Sequence, residues 1–398
     1  MRWIKKINKQ NYINLYARWL SQLKHDTSQF VAFTDKPFLR TDDDIKIFAY
    51  YLTQFHPIPE NDSAHGKGFT EWTNVASCAP YFDGHYQPKI PYDLGFYNLT
   101  DINVMRRQAE IAQAYGLYGF CFYYYWFSGK KVLEKPLYNF LNSDIDMHFH
   151  LCWANENWSK LWDGGNKEII LEQKINPDDA EKFWADLLPF VQDNRYEKID
   201  NKPLLMIYRP EVFEQNQLTD FMKKIEFFAK QVGFDGIFWM ASNAMGFNQP
   251  LQLGFQGIIE FPPHVLFSKC DSVYKNKISE TVNFNVLNLN KYLKQKQHMN
   301  TPDYTLFKAC FPSWDNCPRK AYSHGTCFDM TYEDFKLWLT DILQWTKQNN
   351  KKNNQYVYIN AWNEWAEGAI LEPTTRYGYK ALDIMKQCLE EARTKNNS

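Results

Sequence analysis

Eight short apolar runs, separated by polar loops and helical patterns, are the feature that most constrains the fold of this chain. The first run, residues 45–51, is apolar or aromatic at every position but one, which is typical of a parallel strand buried on both faces. The other runs lie at 118–126, 149–153, 204–208, 236–241, 257–261, 305–310 and 356–361. Helical patterns lie near 101–115, 132–142, 177–193, 216–232, 331–348 and 376–394, whereas 243–256 has the composition of a loop. This alternation predicts an α/β fold, a single (β/α)8 TIM-like barrel with long loops after its strands.

Residues 1–44 differ from the rest and form a predicted N-terminal helical extension. Basic side chains at positions 2, 5, 6, 9, 18 and 24 are interspersed with apolar ones such as Trp3, Ile7 and Leu20. This pattern predicts one or two amphipathic helices with a basic face, which could contact an anionic membrane surface or a biosynthetic partner. The alternative is a helix packed on the main domain. Residues 45–398 are predicted to form the barrel, which is the catalytic domain.

Composition narrows the classes of function. The formal net charge is −1, so there is no electrostatic case for binding nucleic acid. The eight Cys form no CxxC pair and the N-terminus has no secretory apolar region, which predicts free thiols and a cytoplasmic protein. No apolar run reaches the roughly 18–20 residues that would span a bilayer. Peripheral contact with the inner membrane through the extension stays open.

Polar and aromatic side chains follow the predicted strands and do not precede them. Because a barrel carries its chemistry on the loops that leave the C-terminal ends of its strands, these residues are predicted to share one site. The side chains expected to bind substrate are Tyr50, Gln54, His56, Glu71, Trp72, Asn74, Tyr124, Trp126, Trp153, Asn155, Glu156, Asn157, Trp158, Trp162, Asn243, Glu260, Trp314, Asp315, Asn363 and Trp365.

The densest cluster follows the eighth strand, where Glu364 and Glu367 lie three residues apart among indole and amide side chains. A glycosidase needs two carboxyl groups near one sugar and flat aromatic faces on which the sugar rests. We therefore predict that these two residues are catalytic; the alternative is a surface loop with solvated carboxylates. Glu156, after the third strand, is interpreted as a ligand of sugar hydroxyls or as a further catalytic acid. Glu71 could line a subsite or anchor its loop through an ion pair.

Neither a metal nor a cofactor is predicted. His148 and His150 lie at the start of the third strand, away from the expected site, and are interpreted as packed or solvated. The 144–146 segment, Asp-Ile-Asp, matches the pattern of metal-dependent sugar-nucleotide transferases but also precedes that strand. The chain has no Gly-rich phosphate loop.

Six segments together resemble the WbsX-like family of bacterial surface-polysaccharide gene clusters. They are residues 48–57, 66–74, 84–88, 118–126, 153–158 and 362–368. That family is often labelled glycosyltransferase, and the segment after the eighth strand also resembles glycoside hydrolase family 99, which contains endo-α-mannosidases and endo-α-mannanases.

The resemblance to family 99 implies a retaining reaction assisted by the substrate's own 2-hydroxyl. Carried over to this chain, Glu364 would be the base at that hydroxyl and Glu367 the general acid/base. The base must stay ionised, while the acid must carry a raised pKa, which an apolar neighbour such as Trp365 could supply.

These observations predict an enzyme that acts on glycosidic bonds of an oligo- or polysaccharide, as a glycosidase or transglycosylase, in the biosynthesis or remodelling of O-antigen or capsule. One alternative is a glycosyltransferase that uses an activated sugar donor. The other is a glycan-binding barrel without catalysis.

Overall fold

The computed structural model describes residues 13–14, 16–17, 20–21, 24–159, 168–278, 282–320 and 324–394. Within these residues no helix has both the length and the apolar character needed to cross a bilayer.

Eight parallel strands close into a barrel. Each strand pairs with the next one along the chain, and the eighth pairs with the first, with Ile47 opposite Val357. The strands are β1 (Lys46–Tyr51), β2 (Gly119–Phe127), β3 (His148–Trp153), β4 (Lys202–Ile207), β5 (Phe238–Ser242), β6 (Gly257–Ile259), β7 (Thr305–Cys310) and β8 (Tyr356–Ile359). The predicted (β/α)8 barrel is therefore confirmed.

Helices cover most connections between these strands. Two short helices, α1 (Pro59–His65) and α2 (Glu71–Ser77), lie in the long loop after β1. The others are α3 (Ile102–Ala114), α4 (Lys135–Leu141), α5 (Ala180–Val191), α6 (Gln215–Gln231), α7 (Asn290–Lys294), α8 (Tyr332–Asn349) and α9 (Lys380–Thr394). The connection from β5 to β6, which is described throughout, contains only a 3-10 turn at Leu251–Leu253.

The strands are buried on both faces because alternate side chains point to the barrel axis and to the helices. On the axis, Phe48 stacks on Tyr358 with ring centroids 5.7 Å apart, and the Tyr358 hydroxyl lies 2.9 Å from His150 Nε2. On the outside, Trp153 packs on Phe183 of α5 and Phe221 of α6. Each such buried aromatic side chain contributes about 1.5–3 kcal/mol through its burial.

A small three-stranded sheet lies in the loops after β6 and β7. It joins Asp271–Ser272, Phe284–Asn288 and Gly325–Asp329. Its side chains form a second, separate apolar cluster with residues of the loop after β1, among them Tyr81 and Phe82. These contacts tie the long loops to one another above the C-terminal ends of the strands.

The extension before β1 is helical at residues 13–14, 16–17 and 20–21, where Ile13, Tyr16 and Leu20 are exposed. From residue 24 to 44 the chain has turns and extended segments instead of a helix. It lies along the barrel: Val31 pairs with Gly378, and Arg393 of α9 lies 4.1 Å from the Phe38 ring centre. The division at residue 44 and the membrane contact stay predictions.

Candidate active site

A narrow cavity of about 80 Å³ lies at the C-terminal ends of the strands, and we call it the inner cavity. Its lining residues come from the loops after six strands and from the end of β2. They are Leu52, Gln54, Asn61, His65, Phe69, Glu71, Tyr123, Tyr125, Ala154, Glu156, Asn157, Trp158, Ser159, Tyr208, Phe261, His264, Arg319, Glu364 and Glu367.

A second cavity of about 520 Å³, the outer cavity, adjoins the first. The two share six lining residues, including Glu156, Arg319 and Glu367, whereas Glu364 lines the inner cavity alone. Glu367 therefore lies where the two cavities meet.

The loop after β8 forms a tight hairpin that carries both predicted catalytic residues. Asn363–Glu364 pairs with Ala369–Ile370, and a 3-10 turn at Trp365–Glu367 lies between them. Gly368 ends this turn in the left-handed region, with φ at 60°, where a residue without Cβ is favoured. A Cβ there would also lie only 2.8 Å from Lys89 Nζ.

Three donors from other loops fix this turn. Lys89 Nζ and Ser313 Oγ donate to the Gly368 carbonyl at 2.8 and 2.5 Å. The Asp315 amide donates to the Glu367 carbonyl at 2.6 Å. The backbone around Glu367 is therefore held by the loops after β1 and β7.

Arg319, from the loop after β7, joins the carboxyl groups of the site. Its Nη1 donates to Glu367 Oε1 at 2.5 Å and its Nη2 to Glu364 Oε2 at 2.9 Å. The same Nη2 lies 3.4 Å from Glu71 Oε1. A single forked guanidinium therefore orients three carboxyl groups, as the planar geometry of arginine allows.

The pKa of the Glu364 carboxyl group is raised. Burial raises its pKa to about 8; the Arg319 charge opposes this rise, and the charges of Glu367 and Glu71 add to it. The prediction placed a raised pKa on the other carboxyl, with Trp365 as apolar neighbour. In the structure the Trp365 indole nitrogen donates to Glu372 at 2.6 Å, and the role predicted for Trp365 stays a prediction.

Glu367 is held differently from Glu364. Its Oε1 accepts from Arg319, and its Oε2 accepts from Trp314 Nε1 at 3.1 Å. Both oxygens therefore accept hydrogen bonds from nitrogen donors on the loop after β7.

The loop after β3 supplies a further acid. Glu156 lines both cavities, and its Oε1 accepts from Arg209 Nη1 at 2.5 Å. Burial raises the pKa of Glu156, and the ion pair with Arg209 opposes the rise. Glu211 holds the same guanidinium from the other side, at 2.5 Å.

Nine of the predicted site residues line one cavity or both. They are Gln54, Glu71, Asn155, Glu156, Asn157, Trp158, Trp314, Glu364 and Glu367. The roles assigned to them stay proposals.

Three predicted aromatic residues face the helices instead of the cavity. Tyr124, Trp126 and Trp153 pack around Phe183 of α5. The cavity side of β2 belongs to Tyr123 and Tyr125. The prediction chose the wrong alternate set, since a strand buried on both faces carries no polar pattern that identifies the inner side.

Four further residues that were predicted to bind substrate form hydrogen bonds to backbone groups or to Lys308 near the C-terminal ends of the strands. None of the four lines either cavity. Tyr50 donates to the Glu260 carbonyl at 2.9 Å, and Glu260 itself accepts from Lys308 Nζ at 3.1 Å. Asn243 accepts from the Phe261 amide, and Asn363 bonds both backbone groups of Leu52. Their polar groups form hydrogen bonds within the protein, which contradicts the prediction that they bind substrate.

The remaining predicted residues that the structure describes line neither cavity. Trp72 packs on Trp365, with ring centroids 5.5 Å apart, and Asn74 lies on the same helix as Trp72. His56 is buried, which lowers its pKa to about 4. Asp315 lies beside the turn at Gly368 and lines neither cavity. Trp162 lies outside the described residues.

One group of described residues has the donor atoms for a metal ion, namely His85, Asp315 and Cys327. The imidazole is already fully used: Nδ1 accepts from the Tyr81 amide at 2.9 Å, and Nε2 lies 2.7 Å from Asp315 Oδ2. Gln87 donates to the same carboxylate at 2.6 Å. We interpret this group as a hydrogen-bonded brace between loops.

The prediction did not include Arg319, Tyr208, His264 or the residues of α1 that line the cavity. Position along the chain could have identified two of them, because Arg319 and His264 follow predicted strands, as the residues of the predicted site do. An arginine in such a loop is a suitable counter-ion for two nearby acids.

The loop after β8 places two carboxyl side chains in a cavity lined by aromatic rings at the functional end of a (β/α)8 barrel, an arrangement typical of barrel proteins that act on carbohydrates. The family described as glycosyltransferase WbsX matches residues 47–385, and the chain belongs to that family. Two curated relatives, both called uncharacterized protein WxcX, come from strains of Xanthomonas campestris pv. campestris. Each is 37% identical over 347 residues, which are 87% of this chain and 50% of the relative. The chain thus spans about half the length of the curated relatives it matches.

Two solved structures have a similar fold. The GH99 endo-alpha-mannosidase from Bacteroides thetaiotaomicron gives a TM-score of 0.55 at 12% identity, over 90% of this chain and 100% of that one. A glycoside hydrolase-like protein gives 0.52 at 13% identity, over 91% and 98%. At these identities the likeness shows the fold alone. The family supports a carbohydrate-active role.

Proposed function

We propose that this chain acts on glycosidic bonds as a retaining glycosidase or transglycosylase, with Glu364 and Glu367 as its catalytic carboxyl groups. The observation that carries the proposal is the shared guanidinium of Arg319, which brings both carboxyl groups to one narrow cavity lined by tyrosine rings.

The proposed chemistry follows the 2-hydroxyl-assisted route implied by the family 99 resemblance. Glu364 takes the proton of the substrate's 2-hydroxyl while the 2-oxygen attacks C1. The bond between C1 and the glycosidic oxygen breaks, and Glu367 gives a proton to that departing oxygen. In the second step Glu367 takes a proton from water or from a sugar hydroxyl, and the oxygen of that group bonds to C1. The bond between C1 and the 2-oxygen breaks at the same time, and Glu364 returns its proton to the 2-oxygen. Atoms and charges balance over the two steps.

The proposed route requires Glu364 to be ionised when it acts as a base. The raised pKa of Glu364 keeps a proton on the group that has to act as base. We propose that substrate binding shifts that proton to Glu367, since the two carboxyl groups share one guanidinium and interacting acids titrate as a pair.

The biological setting is proposed from the family: the synthesis or remodelling of a bacterial surface polysaccharide. The family description also supports a glycosyltransferase that uses an activated donor as the second candidate. Hydrolysis, chain transfer and donor-dependent synthesis differ in their second reactant, so one turnover assay separates them.

The test is turnover measured by mass spectrometry on two substrate sets. One set holds oligosaccharides of the producing strain's surface polysaccharide, and the other holds sugar nucleotides with an acceptor. We expect cleavage or chain transfer without nucleotide, abolished in Glu367→Gln and in Glu364→Gln. Glu110→Gln, an exposed carboxyl on α3 that pairs with Arg107, is the matched control and should keep full activity.

Other outcomes would decide against the proposal. Nucleotide release coupled to chain growth would establish the transferase. Oligosaccharide binding without turnover, unchanged in both glutamine variants, would establish a glycan-binding barrel.

A further inference from the structure

The Glu372 carboxyl group lines neither cavity, yet it is bonded to the hairpin that carries the proposed catalytic residues. It follows that hairpin in the sequence and is only 2% exposed. Its Oε1 accepts from Gln108 Nε2 of α3 at 2.6 Å. Its Oε2 accepts from Trp365 Nε1 at 2.6 Å and from the Tyr97 hydroxyl at 2.9 Å. A helix, the hairpin and the loop after β1 therefore meet at one buried carboxyl group.

These hydrogen bonds reach both sequence neighbours of Glu364. Trp365, which follows Glu364, donates to Glu372 directly. Asn363, which precedes Glu364, donates to the Tyr97 hydroxyl at 3.4 Å, and that hydroxyl donates to Glu372. Asn363 and Trp365 are each at most 1% exposed. Glu364 is therefore flanked on both sides by buried residues whose hydrogen bonds lead to Glu372.

The Trp365 indole also links Glu372 to Glu367. Trp365 begins the 3-10 turn that ends at Glu367, so the position of the indole and the position of this turn depend on each other. The indole packs on Trp72, with ring centroids 5.5 Å apart. Trp72 in turn donates from Nε1 to the Tyr97 carbonyl at 2.7 Å. Glu372 thus fixes the N–H group of the indole, and Trp72 supports its ring.

Stability alone does not explain a carboxyl group at this position. Removing a carboxyl group from water costs free energy, and apolar residues of similar volume often stabilise a protein core equally well. Burial raises the pKa of Glu372 to about 7, and hydrogen bonds from Gln108, Trp365 and Tyr97 oppose the rise. A carboxyl group has two oxygens that accept hydrogen bonds from defined directions, which an apolar side chain lacks. Its specific contribution is therefore the orientation of its donors.

We infer that Glu372 is a positioning residue for the proposed reaction: through Trp365 and Tyr97 it sets the directions in which Glu364 and Glu367 point into the inner cavity. The inference rests on the proposed function, because it takes these two carboxyl groups to be catalytic. Glu372 acts through the hairpin and does not contact substrate. A displacement of a catalytic group by about 1 Å costs about 100-fold in rate, so the loss of Glu372 should change kcat more than KM.

The first test is steady-state kinetics on the glycan that the turnover assay identifies. Glu372→Ala removes both acceptor oxygens and should lower kcat by about tenfold to 100-fold, with KM changed by less than about threefold. Glu372→Gln keeps an oxygen for Trp365 and Tyr97, and a rotated Gln108 amide can accept from the new amide group. The glutamine variant should therefore keep kcat within about threefold of wild type. If the alanine variant does not fold, Glu372→Met fills the same space without an acceptor oxygen and replaces it.

Trp365→Phe and Tyr51→Phe form a matched pair, since each removes one donor from the same buried network. Trp365→Phe breaks the bond between the hairpin and Glu372. The Tyr51 hydroxyl lies at the other end of the network and donates to Gln108 Oε1 at 2.5 Å. Both variants should unfold at a lower temperature than wild type, but only Trp365→Phe should lower kcat. This comparison separates the orientation of the hairpin from the stability of the network.

The second test does not depend on turnover. Crystal structures of Glu372→Ala and Glu372→Gln show where the two proposed catalytic carboxyl groups then lie. They should be displaced from Arg319 in the alanine variant and unchanged in the glutamine variant. The Trp365 indole N–H, assigned in NMR spectra of isotope-labelled protein by its loss in Trp365→Phe, should exchange with solvent at least about tenfold faster in the alanine variant alone.

Three results would overturn the inference. They are full kcat in a folded Glu372→Ala variant, an equal fall of kcat in Trp365→Phe and Tyr51→Phe, and unchanged positions of Glu364 and Glu367 in the alanine variant. A glutamine variant as inactive as the alanine variant would overturn the role of Glu372 as a hydrogen-bond acceptor. If the wild-type protein turns over no glycan, the proposed function alone fails, and the crystal structures decide whether Glu372 orients the two carboxyl groups.

Discussion

Arg319 Nη1 donates to Glu367 Oε1 at 2.5 Å, and this ion pair joins the loop after β7 to the loop after β8. Its other terminal nitrogen holds Glu364 at 2.9 Å. The positions of both proposed catalytic carboxyl groups therefore depend on a side chain from a separate part of the chain.

Arg319→Met should lower the free energy of unfolding, because it leaves buried carboxyl groups without their cation. The expected loss is about 3 kcal/mol at about pH 8 and less at about pH 5, where the carboxyl groups can take up protons. Urea denaturation at the two pH values measures it. An equal loss of unfolding free energy at both pH values would show that the ion pairs do not contribute to stability.

Glu364→Gln should change how stability depends on pH. The folded-state pKa of Glu364 is raised from 4.5 to about 8, so the folded state holds a proton that the unfolded chain has released. The wild-type protein should therefore lose stability as pH rises between these values, by a few kcal/mol at most. The difference in unfolding free energy between wild type and variant should change over this range, with the variant gaining relative to wild type. A parallel pH dependence of the two proteins would contradict the raised pKa.

The pH profile of kcat/KM should identify the role of Glu364. The proton that Glu364 holds in the free protein is the one proposed to move to Glu367 when substrate binds, so activity should fall as pH rises through a limb with an apparent pKa near 8, where the pair loses that proton. Arg319, Glu367 and Glu71 are the charged groups that face it, and the tyrosine rings of β2 lie beside it. Activity that rises with pH through that value instead would show that this proton must leave before the reaction, and would contradict its proposed transfer to Glu367.

Tyr124→Phe and Tyr125→Phe form a matched pair on neighbouring positions of β2. No described residue lies within hydrogen-bond distance of the buried Tyr124 hydroxyl, so its removal should be neutral or stabilise the protein by about 1 kcal/mol. The Tyr125 hydroxyl lines the inner cavity and accepts from Gln54 Nε2 at 3.1 Å. Its loss should raise KM, whereas the Tyr124 change should not. Thermal unfolding and steady-state kinetics of both variants test this; a KM raised only by the Tyr124 change would reverse the assignment of the strand faces.

Asp315→Ala should weaken both stability and catalysis. The carboxylate is held by His85 and Gln87 at 2.7 and 2.6 Å, and together with the Lys89 charge they keep the pKa of Asp315 well below its usual range. Its removal leaves buried donors without a partner, at a cost of about 3 kcal/mol. Since the backbone of Asp315 holds Glu367, kcat should fall more than KM rises. Denaturation and kinetics of the folded variant measure both effects, and full kcat in a destabilised variant would refute the link to Glu367.

The barrel could be predicted because each strand and helix has its own local pattern. The predicted strand at 305–310 coincides with β7, and the long helices begin and end within a few residues of the predictions. The helices α1 and α2 were missed because they are short and lie in a polar segment rich in Gly and Pro. The three-stranded sheet was missed because Phe284–Asn288 pairs with the distant Gly325–Asp329, and such pairing leaves no local signal.

The sequence could predict the part of the site whose residues lie close together in one segment of the chain. Glu364 and Glu367 are neighbours in sequence, and the hairpin keeps them together. Arg319 reaches them from 45 and 48 residues away, which only the closed barrel reveals. The choice between Tyr123 and Tyr124 depended on the side of β2 that faces the axis, and its unbroken aromatic run does not encode that side.

The turn at Gly368 is bonded by Lys89 and Ser313, which belong to two other loops. The hairpin that carries Glu364 and Glu367 is therefore not an independent structural unit. Grafted alone onto a foreign barrel, it would lack the donors that shape it, so the smallest transferable unit also includes segments 81–89 and 311–320. Protein engineers who wish to vary specificity should diversify the β3 loop, whose described residues line both cavities and supply none of the three donors to that turn.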